Sequence, residues 1–219
     1  MVDRSLVADA DFFRALSDEG LETVLQIVDR RTLRRGDVVF DEGDAAGELF
    51  VVESGRIAIA NKSPDGRSSL LALMERGDLF GEMSLFDNLG RSAEARSLEV
   101  STIYAVPYAP LLDLLHARPE LLWGVVELLA RRLRSMDEVL ADSVFLDVTG
   151  RTAKRLLELA GDAEEFQLPI TQEELAGMVG ASRERVNKAI SSFVSLGWLE
   201  QTERRYRITD REQLERRAR

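Results

Sequence analysis

The chain has 219 residues, 45% of them hydrophobic and 31% charged, with a formal net charge of −10; that is the makeup of one or two globular domains and too apolar for a disordered chain. There is no cysteine and a single histidine, His116, which excludes disulfides, thiolate zinc sites, cysteine-ligated iron–sulfur clusters, cysteine nucleophiles and histidine-rich metal sites. No Walker-type phosphate loop, no G-x-S-x-G elbow, no signal-peptide pattern and no bilayer-length apolar run is present, so the expectation is a soluble, cytoplasmic protein that is not an enzyme.

Residues 3–31 suggest one or two short helices, with Leu21, Leu25 and Val28 at helical spacing. From Gly36 the texture changes. Short apolar or alternating runs appear at 37–40, 49–52, 56–59, 70–73 and 98–106, punctuated by glycines 36, 43, 47, 55, 66, 77, 81 and 90. Such spacing predicts an antiparallel sandwich or barrel, with Pro64-Asp65-Gly66 as a hairpin turn.

After Pro110 the pattern becomes helical, interrupted at Pro119. From Leu121 to about Val144 no proline intervenes. Leu122, Val126, Leu129, Leu133, Met136 and Leu140 repeat at spacings of 4, 3, 4, 3 and 4, a heptad seam on a helix roughly 35 Å long at 1.5 Å per residue. Val125, Leu128 and Val139 form a second apolar flank. A helix with two apolar faces needs two partners: its own domain and a second copy of the chain. A core helix buried in its own subunit is the simpler alternative. His116, near the end of the preceding helix, reads as a C-terminal cap.

Residues 145–150 break the helix and read as a hinge, with helix resuming at Arg151 and ending near Gly161, followed by an acidic linker at 162–165. Residues 151–219 hold 13 basic and 12 acidic side chains, so the negative charge sits in the first 150 residues and the last third is the plausible nucleic-acid surface. Thr171 to Glu174 is a capping box opening a short helix; Gly180-Ala181 turns, and Ser182 caps a second helix that ends at Gly197. Val186, Ile190 and Phe193 form the buried face of that second helix, opposite Arg183, Glu184, Asn187, Lys188 and Ser191. This is helix-turn-helix geometry, with the second helix suited to the major groove. Arginine can read guanine and glutamate can accept from cytosine. A solvated charged face on a generic helical domain is the bland alternative. Arg204 and Arg205, flanked by Trp198-Leu199-Glu200 and Tyr206-Arg207-Ile208, suggest a wing with a basic tip for phosphate contact.

Four separated stretches together resemble one family: Gly81 to Phe86, Arg91-Ser92-Ala93, Phe145 to Arg151 and Ser182-Arg183-Glu184. The chain resembles the cyclic-AMP receptor (catabolite activator) proteins and fumarate-nitrate regulators, bacterial transcription regulators, over nearly its whole length. The resemblance implies an α+β fold: an antiparallel, jelly-roll-like β-roll sensor at 1–109, helices including the long dimerisation helix at 110–144, and a winged helix-turn-helix at 145–219. It implies an allosteric homodimer that binds palindromic duplex DNA of TGTGA type and works with RNA polymerase, away from the membrane. DNA contact would fall to Thr171, Ser182, Arg183, Glu184, Asn187, Lys188, Arg204 and Arg205.

The same resemblance makes 80–93 a phosphate-binding cassette. Gly81, Met83 and Ser84 would bring backbone close to a cyclic phosphate, Arg91 and Ser92 would hold it, and Glu82 would accept from the ribose 2′-hydroxyl. Taken alone, Arg91 and Glu82 read equally as a surface pair across a turn. Arg132, Met136 and Asp137 would face the ligand from the long helix. Where cyclic-AMP sensors present a threonine and a small polar residue to adenine, this chain has Met136 and Asp137. Methionine supplies no hydroxyl, and aspartate only accepts. Three states of the pocket stay open: cyclic AMP as effector, another nucleotide such as cyclic GMP, or a vestigial pocket with constitutive DNA binding. The effector is not a cofactor. The rival from another class is a nucleotide-binding module that regulates a protein partner, which would leave the face of Arg183, Glu184 and Lys188 without a purpose. Iron–sulfur and haem sensing lack their protein ligands.

Overall fold

The computed structural model describes residues 2–10, 13–14, 16–62 and 68–219; the expected turn at Pro64-Asp65-Gly66 lies outside them. The chain forms two compact units, one of residues 1–61 and 71–134, the other of 62–70 and 135–219.

The first unit begins with α1 (Arg4–Asp9), whose N-cap Asp3 accepts from the amides of Ser5 and Leu6, and α2 (Asp18–Ile27), capped by Ser17. Two four-stranded sheets follow. One has the order β1 (Asp29–Leu33), β8 (Ser101–Pro107), β3 (Glu48–Ser54), β6 (Leu79–Phe80). The other runs β2 (Val38–Phe40), β7 (Glu94–Ser97), β4 (Ile57–Lys62), β5 (Ser68–Met74). The pairings are antiparallel.

Strand β3 shows why its sequence reads as a continuous apolar run rather than an alternation. Phe50 and Val52 point into the core between the sheets, with Ile57, Phe80, Ala95, Ile103 and Ala105. Leu49 and Val51 point the other way, into a second core with Leu6, Val7, Leu21, Val24, Leu111, Val125 and Leu128. A strand covered on both faces needs apolar residues at every position. Strand β1 takes residues 29–33, so helix does not extend to residue 31 as the spacing suggested. Asp29-Arg30-Arg31 carries no apolar alternation; its backbone ladder to β8 decides the matter.

Helix α4 (Tyr108–Ala117) starts two residues before Pro110, which sits in the first turn, where a missing N–H costs nothing. The C-cap is Arg118, while His116 lies exposed in the last turn. After a single 3-10 turn, α5 runs from Leu122 to Phe145. Val125 and Leu128 are buried against the first unit. Val139, expected on the same flank, is 44% exposed instead. It lies beyond Arg134, where the first unit ends.

In the second unit α6 (Val148–Ala160) begins three residues earlier than the sequence suggested, because Asp147 caps it by accepting from the Gly150 amide at 2.8 Å. The break from α5 is thus only Leu146 and Asp147. Strand β9 (Glu165–Gln167) takes the end of the expected acidic linker and pairs with β11 (Arg205–Ile208), which also pairs with β10 (Leu199–Thr202). Helices α7 (Gln172–Val179) and α8 (Arg183–Ser195) lie between, and α9 (Arg211–Arg217) ends the fold. Leu156, Leu175, Val186, Ile190, Phe193, Tyr206 and Leu214 are buried. Among the described residues no helix is long and apolar enough to cross a membrane.

Candidate functional site

The cassette follows β6. Gly81 has φ +78, and a Cβ there would meet Arg91 Nη1 at 2.9 Å; only glycine combines that backbone with that approach. Next comes a five-residue helix, α3 (Met83–Asp87), closed by Asn88 in the left-handed region. The chain returns through Arg91 into β7.

Arg91 is 6% exposed. Nη1 donates to the Gly81 carbonyl (2.8 Å) and the Tyr108 hydroxyl (3.0 Å), and Nη2 to the Glu48 carbonyl (2.7 Å). The guanidinium carbon lies 4.1 Å from the centroid of the Phe40 ring, with Phe50 and Tyr108 alongside. The Tyr108 hydroxyl donates in turn to Gly81, and burial pushes its pKa up. Every named oxygen on Arg91 is neutral, and its buried Nε has no partner among the described residues. Among the described residues no carboxylate oxygen is hydrogen-bonded to this cation, and a charged acceptor binds a guanidinium about twice as strongly as a neutral one, so Arg91 has the chemistry to hold an anion. This chemistry fits a cyclic phosphate.

Glu82 is fully buried and pairs with Arg132 of α5, not with Arg91 across a turn. Arg132 Nη1 reaches Glu82 Oε1 at 2.5 Å and Nη2 donates to the Leu79 carbonyl at 2.6 Å. Cassette and long helix are therefore joined by an ion pair whose carboxylate is fully buried and whose guanidinium is half-buried. Ser84 is buried and donates to the Gly90 carbonyl (3.3 Å). Met83 is 45% exposed, and Ser92 is exposed with its hydroxyl on the Met83 sulfur (3.6 Å). Met136 and Asp137 are exposed on α5, past the end of the first unit. Tyr108, Phe40 and Glu48 escaped sequence reasoning: each is remote in the chain, and two strands, β2 and β3, and the start of α4 bring them together on Arg91.

In the second unit both strokes of the capping box form: Glu174 N–H to Thr171 Oγ1 (3.1 Å) and Thr171 N–H to Glu174 Oε2 (2.7 Å). Thr171 is thereby committed to the cap. Gly180 turns the chain at φ +67. Ser182 caps α8 by accepting from Arg185 N–H (3.4 Å). Arg183, Glu184, Lys188 and Ser191 are exposed, opposite buried Val186, Ile190 and Phe193; Asn187 is half-buried. Arg185, which the sequence reasoning passed over, is also exposed. Its position three residues before Lys188, which makes the two neighbours on the helix surface, was the available signal. Arg185 and Lys188 line a cleft of 330 Å³ with Asp147, Val148, Thr149, Ala189 and Ser192. At the wing, Arg205 is exposed. Arg204 instead turns Nη2 to the carbonyls of Leu168 (3.2 Å) and Ile170 (3.1 Å), bracing the wing to the loop before α7.

All six seam side chains of α5 are exposed: Leu122 43%, Val126 50%, Leu129 42%, Leu133 61%, Met136 69% and Leu140 63%.

Comparison with known proteins finds two family models in the chain. Residues 30–118 match the cyclic nucleotide-binding domain and residues 150–217 the Crp-like helix-turn-helix domain. A CRP-like cAMP-activated global transcriptional regulator of Mycobacterium tuberculosis is 37% identical, over 98% of this chain and 99% of its own. The catabolite activator protein of Thermus thermophilus is 32% identical with a TM-score of 0.55, covering 95% of this chain and 98% of its own. The c-di-GMP responsive regulator CLP of Xanthomonas campestris is 26% identical with a TM-score of 0.76, covering 88% of this chain and 99% of its own. The chain thus belongs to the family of the cyclic-AMP receptor proteins and fumarate-nitrate regulators, which are transcription regulators built from a cyclic nucleotide-binding β-roll and a helix-turn-helix.

Proposed function

We propose that the protein is a homodimeric, sequence-specific DNA-binding regulator, not an enzyme, whose DNA affinity is set by a cyclic nucleotide, cyclic AMP first. The observation that carries the nucleotide assignment is Arg91, a buried guanidinium held only by neutral oxygens and rings. Arg91 and Ser92 hold the cyclic phosphate beside Gly81, and Glu82 accepts from the ribose. Because Glu82 already holds Arg132 of α5, a ligand at the cassette alters the charge balance on the long helix. Differential contact of this kind lets a ligand favour one arrangement of a dimer over another. The exposed seam from Leu122 to Leu140 supplies the dimer face in coiled-coil packing, and a two-fold pair of α8 helices reads half-sites about one DNA turn apart. Arg183, Glu184 and Asn187 face the bases, Ser182, Arg185, Lys188 and Arg205 the phosphates. RNA polymerase is the protein partner.

A second reading is another nucleotide as effector. Met136 and Asp137 favour it: together they lack the hydroxyl that an adenine-reading helix presents, and CLP shows that a relative at 26% identity responds to c-di-GMP. Calorimetric titration with cyclic AMP, cyclic GMP and c-di-GMP tests both. Cyclic AMP binding that Arg91→Ala abolishes supports the first reading; binding of a guanine nucleotide alone establishes the second. No binding of any of the three refutes nucleotide control.

A further inference from the structure

Helix α9 ties both ends of α6. Arg211 Nη2 donates to the carbonyls of Gly161 (2.8 Å) and Ala163 (3.1 Å), just past the C-terminal end of α6. At the other end the Arg217 guanidinium pairs with both carboxylate oxygens of Asp147, the N-cap. Between these anchors Leu214 is fully buried. The fit is close, for a Cβ on Gly150 would lie 2.9 Å from the Arg217 carbonyl oxygen.

Asp147 is also one wall of the cleft that Thr149 and Ser192 share with Arg185 and Lys188. Two cations there stand on the exposed face of α8, and the first amides of α6 add partial positive charge. A phosphate suits the two cations, the hydroxyls of Thr149 and Ser192 and the amides of this wall, and the carboxylate opposes it. The Asp147 carboxyl is held below the usual range, first by the Gly150 amide and then by Arg217, so it is ionised at neutral pH. An uncompensated negative charge would oppose a phosphate at close range.

We infer that Arg217 is a positioning residue for DNA: by cancelling the charge of Asp147, helix α9 makes the cleft between α6 and α8 acceptable to a backbone phosphate of the duplex. The inference rests on the DNA-binding function proposed above. Arg217 acts through Asp147 and touches no base, so its effect is the same on every sequence. The pair is partly open to solvent, 33% and 63% exposed by side chain, which sets the effect at about two- to fivefold, the size of an exposed ion pair.

Fluorescence anisotropy with a 30-base-pair duplex carrying inverted TGTGA half-sites, and with a scrambled duplex of the same composition, tests this in the full chain. Arg217→Ala weakens binding about two- to fivefold on both duplexes. Asp147→Asn keeps the N-cap, removes the charge and tightens binding. In the Asp147→Asn background Arg217→Ala has less than half its effect. Arg217→Gln, which keeps the donors and loses the charge, behaves like Arg217→Ala and covers the case in which alanine unfolds the domain; circular dichroism melts accompany each variant. Unchanged affinity in both Arg217 variants overturns the inference while leaving DNA binding standing. So does a loss that persists undiminished in the Asp147→Asn background, which would mean a structural or direct role. If the unmodified protein binds neither duplex, the DNA-binding function fails and this inference fails with it.

Discussion

The cassette and the recognition helix handle charge in opposite ways. At the cassette Glu82 is fully buried and Arg91 nearly so, each held by groups from distant parts of the chain. On α8 Arg183, Glu184, Arg185 and Lys188 stand in solvent on a frame of buried Val186, Ile190 and Phe193. The difference follows from what each must bind. A small anion is swallowed, so its receptor must be desolvated and fixed beforehand. A duplex is met as a surface, so its readers must be exposed and free to form bidentate contacts.

Four substitutions break or sharpen this contrast, from the largest expected effect to the smallest. Removing the partner of a buried charge is costly, about 3–5 kcal/mol. Arg132→Met therefore lowers stability by about that amount in urea unfolding, and Glu82→Gln in the same chain recovers part of it; a change under about 1 kcal/mol would mean Glu82 draws its compensation elsewhere. Leu133→Glu places a charge in the apolar stripe of α5, and sedimentation should show that it converts the proposed dimer of the parent chain to monomers. Persistence of the dimer would remove α5 from the interface. Arg183→Ala costs about 1–3 kcal/mol on a TGTGA duplex and relaxes preference at one guanine; a uniform loss across scrambled duplexes would assign it to phosphate. Thr171→Ala removes a helix cap already committed to Glu174, so it costs about 1 kcal/mol of stability and leaves sequence preference unchanged.

The two regions were also unequally legible. The helix-turn-helix is a local object. The capping box at Thr171 and Glu174, the turn at Gly180 and the cap at Ser182 each lie within a few residues of the groups they satisfy, so the sequence shows them directly. Errors arose where a distant strand decides. Asp29 to Leu33 becomes β1 because β8 is there to pair with it, and Glu165 to Gln167 becomes β9 because β11 is. Helix α9 has one buried side chain, Leu214, too little for periodicity to reveal. At the cassette only the resemblance pointed to Glu82 and Arg91. Arg132 is expected beside the ligand, but its pairing with Glu82 and the approach of Phe40, Glu48 and Tyr108 to Arg91 could not be read, since the four come from four separate elements. Arg204 shows the reverse failure: its sequence context suggested a free wing tip, whereas two carbonyls of the preceding loop hold it.

The central claim is that the buried cassette controls the exposed helix. Anisotropy of a TGTGA-type palindromic duplex, titrated with protein in the presence and absence of cyclic AMP and cyclic GMP, tests it most directly. The account predicts that one of the two raises affinity about 5–150-fold, a coupling of about 1–3 kcal/mol, and that Arg91→Ala abolishes the gain while keeping basal binding. Equal affinity with and without either nucleotide, and with c-di-GMP in the same assay, would contradict it and leave a regulator whose DNA binding is constitutive.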